Sequence, residues 1–534
     1  METEKRDKAI IGEKEVKKAL EILKDYKRAK HPLEQRIIEE EKWWALRHWE
    51  VFGTDDKLNR PKPTSAWMFN SIINKHADAM DNYPEPNVLP REKRDMETAD
   101  LLSKILPVII ENNSFEKTYS DGWWSKLKHG AAAYGVFWNK HLSGGAGDID
   151  IKRIDLLNLY WEPGITNIQD SENLFIVRAE NNSCLKARYP YLTDKELSGG
   201  EVFKDNPYDA NSDMSEKSAV IDWYYKKESG GKTVLHFCKI VGETLLFATE
   251  NEVLFKEKGL YDHGKYPVVL DVMYPLEGSP IGFGLISVMK SPQMYIDRLN
   301  QVILENSVMA TRARYFSKEG GGINEEEFLD WSKPIVHVEG SLAEERLKKI
   351  DVQPISGNVI SVLQLKIDEL KETSGNRDFS QGSTSNGVTA AAAIAALQEA
   401  GNKTSRDQLS ASYRAYSEIN YIVIELLRQF YNGQRVFRIT GDDGGYDFVN
   451  FAGENFGKAL FDVVIKPQKK SSYSKLSQNE LAKELYKLGF FNDENSKASL
   501  AAIEIMDFDG KASVKDNIRR SMESQMMASE EPNA

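Results

Sequence analysis

Apolar residues recur at helical spacing from residue 12 to 52, which predicts two helices broken at Pro32, the second carrying Trp43, Trp44 and Trp49. Three tryptophans on so short a helix suit a core or subunit-contact face better than a ligand site. Pro61 and Pro63 mark a linker. Helical patterning resumes over 66–80 and 91–111, on either side of DNYPEPNVLP, whose prolines predict turns. A further helical run over 115–140 then gives way to alternation. GVFWNKHLSGGAGDIDIKRI reads as two strands joined by a loop at Gly144, Gly145 and Gly147. NLFIVRAEN, AVIDWYYKK, TVLHFCKIVG and ETLLFATE carry the strand signal on to about residue 275. Strands that follow one another through hairpins predict an α+β region rather than a Rossmann unit.

The helical period returns at Ser291-Pro292, a good N-cap followed by a residue suited to the first turn. The predicted helix runs to about Arg312 and sets Ile296, Leu299, Ile303, Asn306 and Ala310 at alternating three- and four-residue spacing. That is a heptad-like stripe with a polar Asn inside it, on a helix ~31 Å long. Residues 313–355 read as a compact insert: an apolar start, GGG at 320–322, a short acidic helix EEEFLDW, a PIVHV strand and Pro354. A second heptad-like helix follows, with Ile360, Leu363, Ile367 and Leu370 as its stripe. Two helices flanking a small insert predict an antiparallel pair with a knob at its tip.

A polar stretch, SGNRDFSQGSTSNG, then leads straight into the alanine-dense VTAAAAIAALQEA. Thr389 caps the predicted helix, and Ile394, Leu397, Leu409, Tyr413, Tyr416, Val423, Leu427 and Phe430 continue it for ~63 Å. Gly401-Asn402 is its natural kink point. QRVFRITG and FDVVIKP predict a short β region before a helical segment over 471–525 and a polar tail.

Composition narrows the function. With 534 residues the chain exceeds one core and predicts several units. A net charge of -12 argues against a general nucleic-acid binder, which carries excess Lys and Arg to replace phosphate counterions. It is compatible with a protein that lets nucleic acid pass without gripping it. Cys184 and Cys238 make no disulfide framework, so a reducing compartment is expected during folding. METEKRDKAI has no apolar signal core, and no stretch approaches the ~18 apolar residues that span a bilayer. The expectation is a soluble product made in the cytoplasm, with no membrane partner.

Candidate chemistry adds little. GGKT at 230–233 lacks the first glycine of a phosphate loop, since Lys226 stands there, and reads as a hairpin turn. His236 and Cys238 fall short of a four-ligand zinc site and suit a buried strand. There is no HExxH, no His near a GxSxG serine, and IGFG at 281–284 lacks dinucleotide spacing. Asp442-Asp443 and Asp507/Asp509 fit solvated turns rather than a converging metal site. No catalytic residue, cofactor or metal is expected, and the chain is not expected to be an enzyme.

The order of parts is the strongest signal: α+β body, SPxxYIDRLNQ helix, insert, heptad helix, polar loop, alanine-rich long helix, helical C-terminus. It resembles the portal proteins of tailed double-stranded DNA bacteriophages, most closely the P22-like group. DNYPEPNVLPREKRDMETADLLSKIL is similar to an early family segment, YPLEGSPIGFGLISVMKSPQMYIDRLNQ to the run into the first stem helix, and GVTAAAAIAALQEAG to the start of the spine helix. The resemblance covers most of the chain. It implies a mostly helical, multi-domain α+β portal fold that assembles into a ring, usually dodecameric, at one capsid vertex of the virion. Residues 1–290 would be the N-terminal and wing region, 291–312 and 356–373 the stem helices, and 313–355 the clip. Residues 374–388 would be the tunnel loop, 389–468 the spine helix with the remaining wing, and 469–534 the crown. The departure from the P22-like pattern is length, and no long C-terminal coiled-coil barrel is expected.

The resemblance also implies roles and partners. Ile296, Leu299, Ile303, Ile360, Leu363, Ile367 and Leu370 would serve stem packing. Lys366, Lys371 and Arg377 would lie near the DNA channel, with a solvated helix face as the ordinary alternative. Phe379, Ser380, Gln381, Ser383, Thr384 and Asn386 would form a tunnel loop that touches phosphates weakly and without sequence preference, with Gly375, Gly382 and Gly387 allowing it conformational spread. Glu325, Glu326, Glu327, Phe328 and Trp331 would face terminase during packaging and a head–tail adaptor afterwards. Major capsid and scaffolding proteins complete the expected partners. Two other readings compete. A DNA-packaging enzyme would need a phosphate loop or carboxylate cluster, and neither is found. Another ring-forming adaptor or tail component would usually be shorter, without a helix–insert–helix and a long spine.

Overall fold

The computed structural model describes residues 10–53, 60–198, 216–311, 314–317, 324, 326–327, 347–350, 354–375, 403–440, 446–453 and 461–469, with short stretches between 483 and 520. It comprises two units, one of Met1–Ala79 with Pro86–Ile465 and one of Met80–Glu85 with Lys466–Ala534. The fold is mixed α+β and mostly helical.

Helix α1 (Glu13–Trp44) runs through Pro32 without a break, where two helices were predicted. Pro32 withdraws its donor from the carbonyl of Arg28, and both residues are exposed, so water can satisfy that carbonyl. Buried Tyr26, Lys30 and Ile37 meanwhile hold the helix to the body on both sides of the proline. The tryptophans are packing residues: Trp43 and Trp49 are buried, and Trp44 packs at a tilt against the rings of Phe69 and Trp124. Helix α2 (His48–Val51) and α3 (Trp67–Asp81) follow.

Strand β1 (Asn82–Pro90) stands where turns were predicted. Pro84, Pro86 and Val88 are buried in alternation, the period of a strand, and a proline φ suits a strand with a single partner. Helices α4 (Met96–Asn112) and α5 (Phe115–His129) lead to Gly130, whose φ of 91° ends α5. A Cβ there would come within 2.3 Å of the Phe283 backbone. The chain turns at once into β2 (Ala131–Asn139), so the helix stops well short of residue 140.

Strand β3 (Asp148–Ile154) completes the predicted glycine-loop hairpin with β2. Strands β4 (Leu159–Trp161) and β5 (Asn173–Asn181), helices α6 (Asn182–Arg188) and α7 (Asp194–Ser198), then strands β6 (Lys217–Ser229), β7 (Lys232–Val241) and β8 (Thr244–Ala248) follow. They form an antiparallel sheet ordered β4-β5-β6-β7-β8. GGKT is its β6–β7 turn, with Ser229 opposite Lys232 and φ of 59° and 76° at Gly230 and Gly231. His236 and Cys238 are buried in β7. The sheet's inner face carries Phe175, Val177, Ile221, Trp223 and Ile240, and α1 covers it with Val16, Ala19, Leu23 and Tyr26. Each fully buried Val, Leu, Ile or Phe in this core contributes ~1.5–3 kcal/mol.

Strand β9 (Val268–Val272) pairs with β2, giving the order β3-β2-β9, and β10 (Tyr274–Leu276) pairs with β11 (Ser279–Phe283). Helix α8 (Leu285–Thr311), strands β12 (Arg314–Ser317) and β13 (Leu347–Ile350), helix α9 (Gly357–Ser374) and helix α10 (Lys403–Phe430) follow. Strands β14 (Arg435–Thr440) and β15 (Tyr446–Phe451) form a hairpin, and β16 (Phe461–Lys469) pairs with β1. In the second unit the described residues between 483 and 520 are helical apart from the turn at 488–489, with Ile503 and Ile518 buried.

Candidate functional site

The α8–α9 pair is the part of the chain whose pattern promised most. Helix α8 begins at Leu285 rather than Ser291, and Pro292 lies inside it. Helix α9 is capped by Ser356, whose side chain accepts from the Asn358 amide, and ends at Gly375 with a φ of 71°. Between them β12 and β13 pair antiparallel, from Arg314 opposite Ile350 to Ser317 opposite Leu347. The chain therefore leaves α8 and returns along it. Near the far end Lys366 sits 5.5 Å above the Tyr295 ring, and Ile296 and Leu370 are both fully buried.

Three stripes run along α8. The first is polar and faces the N-terminal segment. Ser287 donates to Glu40 at 2.5 Å, Lys290 pairs with Glu39 at 3.3 Å, and Asp297 meets His48 at 2.5 Å. The second is the predicted heptad stripe. Ile296 is buried, Leu299 and Ile303 are half-buried, and on α9 Leu370 is buried while Leu363 and Ile367 are half-buried. Much of that stripe is covered within the chain, although Ile360 stays 59% exposed. The third is apolar and uncovered: Tyr295, Val302 and Met309, seven residues apart, are 47%, 49% and 43% exposed. On α9 Val362 and Leu365 are also exposed, Leu365 at 63%. An apolar set at heptad spacing left in water is the signature of an unpaired helix face.

The root of the pair is held by charge. His129, the last residue of α5, is buried with Nδ1 3.1 Å from Glu40 and Nε2 2.8 Å from Glu41 on α1. Burial opposes the charged ring, but the hydrogen bonds to Glu40 and Glu41 outweigh it and raise the imidazole pKa. Burial likewise opposes ionisation of Glu41, and the His129 bond with the Lys128 charge prevails, holding it down at about 2. Arg36 adds a third cation, 3.8 Å from Glu40 and donating to the Gly282 carbonyl at 2.6 Å.

Helix α10 is pinned by two buried lysines. Lys126, fully buried, donates to Asp271 at 2.7 Å, the Gln408 carbonyl at 3.0 Å and the Ser412 hydroxyl at 2.7 Å. Lys75 donates to the Ser405 hydroxyl at 2.8 Å. Burial depresses both lysine pKa values, with Asp271 and Asp78 respectively opposing it. These contacts hold Ser405, Gln408 and Ser412 of α10 to the body.

Of the other predicted site residues, Lys366 pairs with Glu369 at 2.6 Å and Lys371 lies 5.7 Å over the Trp67 ring. Glu326 and Glu327 are helical, and the Glu327 amide donates to Asn324 at 3.2 Å. Arg377, Phe379, Ser380, Gln381, Ser383, Thr384 and Asn386 lie outside the described residues, as do Glu325, Phe328 and Trp331, the Thr389 cap, the Gly401-Asn402 kink and both acidic pairs. Sequence reasoning missed His48, His129, Lys75, Lys126, Gln293 and Asp297. A signal was present: Lys126 follows Trp123 by three on the buried stripe of α5, and Gln293, Asp297 and Asn300 share one helical face.

Among the described residues, no group of His, Cys, Asp and Glu side chains could hold a metal ion, and no helix is long and apolar enough to cross a membrane. No curated protein matches the chain. The family model for the phage P22-like portal protein matches residues 68–534.

Proposed function

The chain belongs to the family of phage P22-like portal proteins, and we propose that it forms a dodecameric ring at one capsid vertex, a channel for double-stranded DNA during packaging and ejection. In this reading α8 and α9 are the stem, and residues 313–355 are the clip that faces terminase and later a head–tail adaptor through Glu325–Glu327, Phe328 and Trp331. Residues 374–388 are the tunnel loop, α10 belongs to the spine, and 469–534 form the crown. Major capsid and scaffolding proteins are the neighbours at the vertex.

The observation that carries the reading is the uncovered stripe of Tyr295, Val302 and Met309 on α8, with Val362 and Leu365 exposed on α9. A helix pair whose root is bound by polar contacts, yet whose flank keeps heptad-spaced apolar residues in water, supports packing against another copy of itself. Repeated by one rotation, such a contact closes into a ring. The net charge of -12 per chain favours a channel that repels phosphate, so that DNA slides rather than binds. The neutral side chains of the tunnel loop then touch the duplex weakly, with Lys366, Lys371 and Arg377 as the nearest cations. The hold of Lys75 and Lys126 on α10 suits a loop that must bear on a moving polymer. Deleting residues 379–386 tests the reading: rings are expected to assemble as before while heads retain less DNA. Normally filled heads would contradict it.

A further inference from the structure

Residues 60–68 run beside α8 and are held there by side chains rather than by a β-partner. Alternate carbonyls accept: Pro61 from Gln301 Nε2 at 3.0 Å, Pro63 from Trp49 Nε1 at 2.9 Å, and Ser65 from Gln293 Nε2 at 2.8 Å. The Ser65 amide donates to Asp297 Oδ1 at 2.9 Å, and the Met68 amide donates to Gln293 Oε1 at 3.2 Å. Asn300 Nδ2 donates to the Ser65 hydroxyl at 2.9 Å. His48 completes the network, with Nδ1 2.5 Å from Asp297 Oδ2 and Nε2 3.1 Å from the Trp43 carbonyl. A carbonyl only accepts, so Nε2 carries a hydrogen and the ring is fixed in orientation. Both members of this pair are fully buried, so separating them leaves a carboxylate in the interior without its partner.

The same segment also reaches the last turn of α9 and the first turn of α10. Lys371, in the last turn of α9, lies over the ring of Trp67 at the start of α3. Lys75, about two turns further along α3, donates to Ser405 in the first turn of α10, and Ser405 donates in turn to Asp78 at 3.5 Å.

We propose that residues 60–78 form a bracket that ties the middle of α8 to the last turn of α9 and the first turn of α10, with the His48–Asp297 pair as its bolt. A tilt of α8 carries the strap with it, and the strap moves the Trp67 and Lys75 anchor points together. A seam of buried polar bonds has defined partners, so the bracket is either locked or open and does not slide by degrees.

Native-state hydrogen exchange on the full chain tests this, comparing wild type with Asp297→Asn and His48→Gln. The amides of Ser65 and Met68 are expected to exchange ~100-fold faster in both variants. Amides at 371–375 and 404–412 should accelerate with them, while those of β5 and β6 stay unchanged. Acceleration of the strap alone, or of every amide in the chain together, would overturn the proposal. Should those variants fail to fold, Lys75→Met serves instead. It releases the α10 anchor only, so faster exchange is expected at 404–412 with Ser65 and Met68 still protected, and no change at 404–412 would overturn the proposal.

Discussion

Regularly spaced apolar residues serve opposite ends in two parts of this molecule. On α1, Val16, Ala19, Leu23 and Tyr26 recur every three or four residues, and the five-stranded sheet covers all of them. On α8, Tyr295, Val302 and Met309 recur every seven, and each keeps nearly half of its surface in water. The sheet and its helix are complete within one chain. The helix pair is covered within the chain only in part, and Tyr295, Val302 and Met309 remain open. Apolar pattern therefore marks a surface to be covered, and only the fold says whether the same chain covers it.

Phe175 is fully buried between Tyr26 and Trp223, with ring centroids 6.0 and 6.2 Å away. Phe175→Ala is expected to cost ~3–5 kcal/mol of folding stability, read from denaturant unfolding, because the site cannot collapse around the space. A loss below ~1 kcal/mol would mean that α1 and the sheet are not one core.

A smaller effect belongs to the root of the helix pair, and it depends on pH. His129 has a raised pKa, so its contribution is fully present below the unfolded value of about 6.5 and is lost as pH rises through the folded value. Glu41 is depressed to about 2, so its share is present above about 4.5 and is lost as pH falls towards about 2. Wild-type stability should therefore decline on the alkaline side of about 6.5, and His129→Gln should flatten that limb and also shrink the acid limb, because the His129 bond is part of what holds Glu41 down, with Lys128 supplying the rest. Identical alkaline limbs for the two proteins would remove His129 from the account.

Much of this architecture was legible in the sequence, and what was not has physical causes. The β2–β3 hairpin, the GGKT turn and strands β5 to β8 follow from alternation and glycine chemistry, which are local. Pro32 and the prolines of NYPEP misled because proline's local cost was overruled by burial on either side, in one case within a helix and in the other within a strand. The start of α8 was placed at Ser291-Pro292 for the same reason: good capping residues outweighed apolar Leu285, Ile286 and Met289, which are buried. The heptad stripes were visible as pattern, but their division into covered Ile296 and uncovered Val302 depends on where α9 returns. The buried pairs His48–Asp297 and Lys126–Asp271 join residues 249 and 145 positions apart, beyond the reach of any local pattern.

The smallest expected change in folding stability accompanies the most direct test of the central claim, that the open stripe of α8, with the exposed residues of α9, is a contact between copies of the chain. Val302→Asp combined with Leu365→Asp replaces exposed side chains and should alter unfolding by less than ~1 kcal/mol in the isolated chain. Negative-stain imaging with native mass measurement of wild type and variant then decides. Rings of about a dozen subunits with a central hole are expected for wild type, consistent with closed cyclic assembly, and separate chains for the variant. Rings formed equally well by both proteins would contradict that claim.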